Sequence, residues 1–293
     1  MTATPTPHPG IVLATDRTAR CDRALETATR LARASALEPA AVTVVEPSTA
    51  LLDEVGGRAP AWYEPPSPHV RAERELHRDL VASGLAWRTR VLDDAQALVA
   101  AVEQERARLS GAETLIVSGP VREGAFGAVR LGSTLDRLLR LDSARVLIVR
   151  QHPRADYRHV LVSSDFSAPS KIALQAARAL FPAARISLLH GFDVPLLGFV
   201  GDGREAMLAS TRERLLEEAN GFLREAAVDP DTVERVVEYG DPARLMQLYC
   251  ETFDPDLLVC GTHGHGALFE LVLGSVARSM AMRARIDTLL VRA

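Results

Sequence analysis

The segment Cys260-Gly261-Thr262-His263-Gly264-His265-Gly266 closes a short apolar run, Leu257–Cys260, and is nearly bare of large side chains. In such a loop backbone N–H groups can approach an anion closely, as a phosphate cradle requires. Beyond Gly264, with nine residues between, Gly274-Ser275 opens a helix-like stretch. A helix N-terminus adds unpaired N–H groups and the positive end of the helix dipole, and Ser275 adds a hydroxyl. The chemistry open to these residue types is retention of a phosphorylated ligand.

Rival chemistries lack their residues. The chain has no G-x-x-x-x-G-K-[ST] run and no G-x-G-x-x-G after a strand, which disfavours a P-loop NTPase and a dinucleotide oxidoreductase. His263 and His265 lie between glycines without a carboxylate or cysteine set at ligand spacing, so a dedicated metal site is not expected. Mg2+ or Mn2+ would instead ride on the phosphates of the ligand. No paired carboxylates and no nucleophile–base set accompany the turn. Cys260, on an apolar strand, reads as a small buried hydrophobe.

These residues need a scaffold, and the second half supplies one in alternating pieces. Strands are expected at 159–164, 185–190, 233–238 and 257–260, with a last one ending at Arg292. Helices are expected at about 169–181, 205–226, from Pro242 to about 253, and from Ser275. The Glu- and Arg-rich stretch 204–225 reads as a solvated helix face with i, i+4 pairs. Phe192–Val200 could be a lid, a partner surface or a dimer contact. Short apolar strands alternating with helices indicate a mostly parallel sheet covered on both faces. In open α/β sheets ligands bind beyond the carboxyl ends of the strands, where the glycine turn lies.

The same plan occurs earlier in the chain. Leu115-Ile116-Val117-Ser118-Gly119, Leu131-Gly132-Ser133 and Val146–Arg150 match Leu257–Gly261, Leu273-Gly274-Ser275 and Thr288–Arg292. Gly132 and Gly274 are 142 residues apart (274 − 132), as are Gly119 and Gly261 (261 − 119). At the starts, Ile11–Asp16 matches His159–Asp165, each an apolar run closed by aspartate. The chain is therefore read as a duplication: a first domain at 1–150, a linker at 151–157 and a second domain at 158–293. The first half has strands near 11–15, 41–45, 87–91, 114–117 and 145–149, and a Pro- and Gly-rich loop from Gly56 to Pro68. Its own turn, Gly119-Pro120-Val121-Arg122, puts arginine where the second glycine belongs. The side chain and the missing proline N–H spoil a cradle, so this half is expected to bind no nucleotide, or to fill the phosphate position with Arg122.

The spacing Gly261-x2-Gly264-x9-Gly274-Ser275 resembles the ATP-binding branch of the universal stress protein family. Asp165-Phe166-Ser167 looks like that family's first-strand end, Leu188-Leu189-His190 like its second strand, and Gly240-Asp241-Pro242 like its turn before the next helix. The resemblance runs through both halves and is most specific in the second. It implies two tandem five-stranded, mostly parallel sheets with helices on both faces, Rossmann-like and similar to adenine nucleotide alpha hydrolases. It also implies pairing of the terminal strands of the two halves, which makes the chain a pseudo-dimer. Carried over by position, Asp165 would sit by adenine and ribose, and the backbone around Gly191 would face the adenine. Gly261, His263, Gly264, Gly274, Ser275 and the amide of Val276 would hold ribose and phosphates, with Ser163 and Cys260 completing the set at the strand ends. The family usually has a branched residue where Gly191 stands.

Composition fits this reading. The 293 residues are 47% hydrophobic and 25% charged, as in a soluble globular protein of two domains. A net charge of −4 provides no basic field for nucleic acid. The cysteines Cys21, Cys250 and Cys260 are too scattered for a disulfide framework and suggest a reducing compartment. No apolar run is long enough to span a membrane, and Met1–Gly10 has no apolar leader core, so the cytoplasm is expected. The function expected is an ATP-binding stress or regulatory protein, a nucleotide-dependent switch working through a regulatory protein partner. Further pairing into a homodimer of pseudo-dimeric chains is plausible on the same ground. The alternatives are a slow ATPase or other nucleotide-processing enzyme, and a scaffold that binds no nucleotide.

Overall fold

In a computed structural model of the chain, residues 10–17, 19–45, 67–94, 96–109, 113–119, 133–152, 156–195, 203–262 and 273–292 are described. The chain divides into two compact units, Met1–Pro120 and Val121–Ala293.

In the first unit, strands β1 (Gly10–Thr15), β2 (Glu38–Val44), β3 (Arg88–Leu92) and β4 (Leu115–Ser118) alternate with helices α1 (Ala19–Ala34), α2 (Pro68–Val81) and α3 (Ala97–Arg108). The strands are parallel in the order β3-β2-β1-β4. Consecutive residues Ile11, Val12 and Leu13 are all buried, as are Ile116 and Val117. A run buried at successive positions has both faces covered, as in a parallel α/β sheet. Helix α2 starts where Ser67 accepts from Val70 N, with Pro68 at its first position, and turns Ala72, Leu76 and Leu80 inward at a four-residue spacing.

The second unit contains α4 (Ser133–Leu138), β5 (Arg145–Ile148), β6 (His159–Ser163), α5 (Ala168–Leu180), β7 (Arg185–Phe192), α6 (Arg204–Glu225), β8 (Val233–Tyr239), α7 (Pro242–Phe253), β9 (Leu257–Gly261), α8 (Ser275–Arg283) and β10 (Asp287–Val291). Its strand order is β5-β10-β9-β6-β7-β8. All neighbours are parallel except β5 and β10, which run antiparallel with Leu147 opposite Leu289. The fold is thus α/β with mostly parallel pairing. The strand at 145–148, which the duplication assigns to the first half, lies in this second unit.

Local chemistry accounts for the helix starts. Ser167 accepts from Ser170 N at the start of α5, and Asp241 accepts from Arg244 N at the start of α7, where Pro242 holds the first position. Helix α6 buries Leu215, Ala219, Phe222 and Leu223, while Arg214 and Glu218 pair at i, i+4 on its exposed side. The apolar end of β7 belongs to the core: Phe192 and Val194 pack with Leu215 and Val237. Residues 196–200, the rest of the segment read as a lid, a partner surface or a dimer contact, lie outside the described residues. Among the described residues no helix is long and apolar enough to cross a membrane.

The polar segment 151–156 is fastened at both described ends. Asp287, 4% exposed, accepts from Arg150 N at 2.7 Å, Gln151 N at 2.9 Å and Tyr157 Oη at 2.7 Å. A buried carboxylate persists where several donors meet it.

At the amino ends of β6, β7 and β8 a second polar cluster is closed by hydrogen bonds. Tyr249 Oη donates to Glu234 Oε2 at 2.8 Å, Ser187 Oγ lies 2.9 Å from His159 Nε2, and Arg185 Nη2 reaches Glu234 Oε2 at 2.8 Å. Burial, then the Arg185 guanidinium, holds His159 below the ordinary histidine range. Burial raises Glu234, but hydrogen bonds from Ser187, Tyr249 and Arg185 outweigh it and hold the carboxyl below its usual range. Both groups bind protons more weakly folded than unfolded, so both favour the folded state at higher pH. The His159 contribution is complete above the unfolded histidine value of about 6.5 and is lost as pH falls through it towards the lower folded value. Glu234 adds a further loss below the unfolded carboxyl value of about 4.3. Urea midpoints measured from pH 8 down to pH 5 are expected to fall below about 6.5, and His159→Gln is expected to flatten that step.

Candidate functional site

Strand β6 is where the sheet of the second unit changes direction: β7 lies on one side and β9 on the other, so its carboxyl end opens a crevice. Ser163, the last residue of β6, faces Leu189 on β7 and Cys260 on β9 in register. The chain then turns sharply. Phe166 adopts φ +61°, and its N–H donates to Ser164 Oγ at 3.0 Å. The Phe166 ring stacks on His190 at 4.4 Å, and His190 Nδ1 donates to Ser164 O at 2.8 Å. One histidine thus holds both the backbone and the aromatic side chain of this turn.

Asp165 sits inside that turn with its carboxylate fixed. Ser167 N and Ser167 Oγ both donate to Asp165 Oδ1, at 3.1 and 2.5 Å. Ser167 Oγ also faces Ser170 N at 3.4 Å as the cap of α5. Ser164 Oγ meets Ser170 Oγ at 2.9 Å. These bonds orient a half-buried carboxylate at a strand end, where hydroxyls of a ligand can be read.

The β9 end approaches the same place. A Cβ built on Gly261 would stand 3.0 Å from Pro169 C and O and 3.2 Å from Ser170 N, so α5 can lie this close only against glycine. Cys260 is buried, its Sγ 3.9 Å from Met280 Sδ, and burial pushes the thiol up to about 12. What Cys260 offers at the crevice is therefore backbone. Thr262 N donates to Val291 O at 2.9 Å, and Thr262 O accepts from Gly274 N at 2.7 Å. That last bond ties the exit of β9 to the start of α8.

Gly274 is the N-cap of α8 and has no side chain to cap the first turn. The first N–H groups of a helix have no partner within it. Here Ser275 and Val276 are exposed beside them, so the site combines backbone donors, a hydroxyl and the positive dipole end. Of the residues expected at the site, Ser163, Asp165, Cys260, Gly261, Gly274, Ser275 and Val276 are linked through these contacts. His263 and Gly264 lie outside the described residues, as does His265.

Gly191 has a packing reason of its own. Its Cβ would meet Gly240 O at 2.9 Å and Leu245 Cδ1 and Pro242 Cα at 3.0 Å. A branched residue has no room there because the β8–α7 turn lies against the strand. The contacts that sequence reasoning passed over are the Phe166–His190 stack and the Ser164 and Ser167 hydroxyls. The D-F-S run and the histidine two residues from the end of β7 were their only signal. Among the described residues, no cluster of three histidine, cysteine or acidic side chains is placed to hold a metal ion.

The first unit repeats the turn with other side chains. Arg17 follows Asp16 with φ +57°, and its N–H donates to Thr15 Oγ1 at 2.9 Å, as Phe166 does to Ser164. Instead of stacking on a ring, the Arg17 guanidinium lies with Nε 3.6 Å from Glu75 Oε2. Arg122 and Gly132 lie outside the described residues.

Comparison with known proteins gives one family. Residues 156–292 match the universal stress protein family. A universal stress protein of Mycolicibacterium smegmatis is 28% identical over 303 residues, covering 97% of each chain. The crystal structure of a universal stress protein from Archaeoglobus fulgidus superposes with a TM-score of 0.60 at 19% identity, covering 100% of this chain and 99% of that one. A putative universal stress protein from Pseudomonas aeruginosa superposes with a TM-score of 0.64 at 17% identity, over 99% and 95% of the two chains. At such identities the superpositions speak for the fold.

Because the obstructing atoms at Gly261 are backbone, they cannot swing aside. Gly261→Ala is expected to lower stability by about 1–3 kcal/mol, as overpacking does, measured by urea unfolding.

Proposed function

Through residues 156–292 the chain belongs to the universal stress protein family, and we propose that it binds ATP and acts as a nucleotide-dependent regulatory switch. The observation that carries this reading is the start of α8. An uncapped helix N-terminus, tied by Gly274 N to Thr262 O, lies at the exit of β9, and β9 borders the strand that delivers Asp165. Phosphate binding at a helix N-terminus needs only such donors and the dipole.

The residues fit the group. Asp165, oriented by Ser167, would accept from ribose hydroxyls, with Ser163 beside it and the Gly191 backbone on the adenine side. Gly261, whose missing Cβ lets the first turn of α5 close on β9, would hold ribose and phosphates together with His263, Gly264, Gly274, Ser275 and the Val276 amide. ATP would supply a polyanion, with Mg2+ or Mn2+ sharing its charge. The binding elements are donors rather than a proton-transfer pair, which suits retention of the nucleotide more than its turnover. The output is a change at the chain's surface, passed to a regulatory protein partner or to a second chain, in the cytoplasm.

Titration calorimetry with ATP and Mg2+ on nucleotide-stripped protein tests the reading. One site per chain is expected. Asp165→Ala should weaken it by about 1.5–3 kcal/mol, the range of a hydrogen bond to a charged group, and Gly264→Arg, copying Arg122 of the first half, should abolish it. Two equivalent sites, or no heat at all, would contradict it.

A further inference from the structure

The pairing of β5 with β10 is nearly two-fold about a single residue pair. Leu147 faces Leu289, its own counterpart in the duplication (289 − 147 = 142), while Val146 faces Leu290 and Ile148 faces Thr288. Val146 is the counterpart of Thr288, and Ile148 that of Leu290. Two identical repeats joined through this edge would have the same register, with equivalent residues confronting each other across the axis.

The charged residues break that symmetry. Asp136 on α4 and Arg278 on α8 are counterparts (278 − 136 = 142), and Arg278 Nη2 lies 3.5 Å from Asp136 Oδ1. Arg145 and Asp287, the first residues of β5 and β10, are counterparts as well (287 − 145 = 142). The donors that converge on buried Asp287 are Arg150 N and Gln151 N, from the segment that directly follows β5, and Tyr157 Oη, just before β6. In return, the Arg150 guanidinium donates to Thr288 Oγ1 at 3.1 Å and to Ala281 O at 2.7 Å. Burial, partly offset by Asp287, draws this guanidinium down to about 10.

We propose that the α4–β5 and α8–β10 edges are built to join one first repeat to one second repeat in preference to two copies of either. Joining two second repeats would confront Arg278 with Arg278, although Arg292 N, the counterpart of Arg150 N, would still meet Asp287. Joining two first repeats would confront Asp136 with Asp136 and put Arg145 where the accepting carboxylate stands. The exposed Asp136–Arg278 pair contributes little on its own. The buried carboxylate discriminates more strongly: two first repeats lack it, which takes from Arg150 N and Gln151 N their acceptor and puts a second cation, Arg145, in its place. With both repeats present in one chain, a repeat with the Gly261–Gly264 turn is thereby matched to a repeat carrying Arg122. The inference does not depend on which ligand the turn binds.

The test uses the full chain with a protease site inserted at Pro153-Arg154-Ala155, cleaved after folding. Native mass spectrometry then follows the nicked protein equilibrated in urea below its unfolding midpoint. Complexes of first fragment with second fragment are expected to exceed like-with-like complexes by at least about tenfold, a difference of 1.4 kcal/mol. Like-with-like complexes in the proportions of random re-pairing would overturn the proposal. Nicked protein carrying Asp287→Asn with Arg278→Gln is expected to lose the preference; if it keeps it, these residues are not its source. In the uncut chain, Asp136→Arg and Arg278→Asp should each lower the urea midpoint and together regain it. Additive losses would remove this pair from the interface code.

Discussion

A single close approach, the first turn of α5 lying against Gly261, governs the strand ends of the second unit. With Pro169 C and O only 3.0 Å from where a Cβ would stand, any other residue at 261 displaces the helix start. That start carries Ser167, which both caps α5 and fixes Asp165. The left-handed turn at Phe166 is held in the same frame by Ser164 Oγ and the His190 ring. One missing side chain on β9 thus determines where a carboxylate on the neighbouring strand can be presented. Close packing at Gly261 and orientation at Asp165 both depend on the first turn of α5.

The two halves show which parts of such a device are separable. The turn after the first strand survives in both, with φ +57° at Arg17 and +61° at Phe166 and a hydroxyl two residues back accepting the N–H in each. The side chains have diverged: an aromatic stack in one half, a guanidinium near Glu75 in the other. Backbone conformation is set by local hydrogen bonds and outlasts changes in what the turn presents. The same division appears at β5 and β10, where the register keeps its two-fold form while Asp287 and Arg145 have taken opposite charges.

Much of this was legible in the residues because it depends on local pattern. Strand–helix alternation, the Gly-Asp-Pro start of α7 and the opening of α8 at Ser275 follow from periodicity and capping, and the element bounds match to within a few residues. Cys260 read correctly as a buried hydrophobe. What stayed hidden depends on residues far apart in the chain. Gly191 looks like a departure from the family until Gly240 and Pro242 are seen against it. Residues 151–156 read as a polar linker, yet Arg150, Gln151 and Tyr157 are bonded to a carboxylate more than 100 residues on. Composition cannot report such partners, since a polar segment looks the same whether it meets water or a buried aspartate.

The central claim is that the exits of β6 and β9 and the start of α8 act together as one nucleotide site. Amide hydrogen exchange read by mass spectrometry, with and without ATP and Mg2+, tests it peptide by peptide. The account predicts slowed exchange in 164–168 and 274–278, with 11–17 of the first unit unchanged. Slowing at 11–17, or no change at 274–278 under saturating nucleotide, would contradict it.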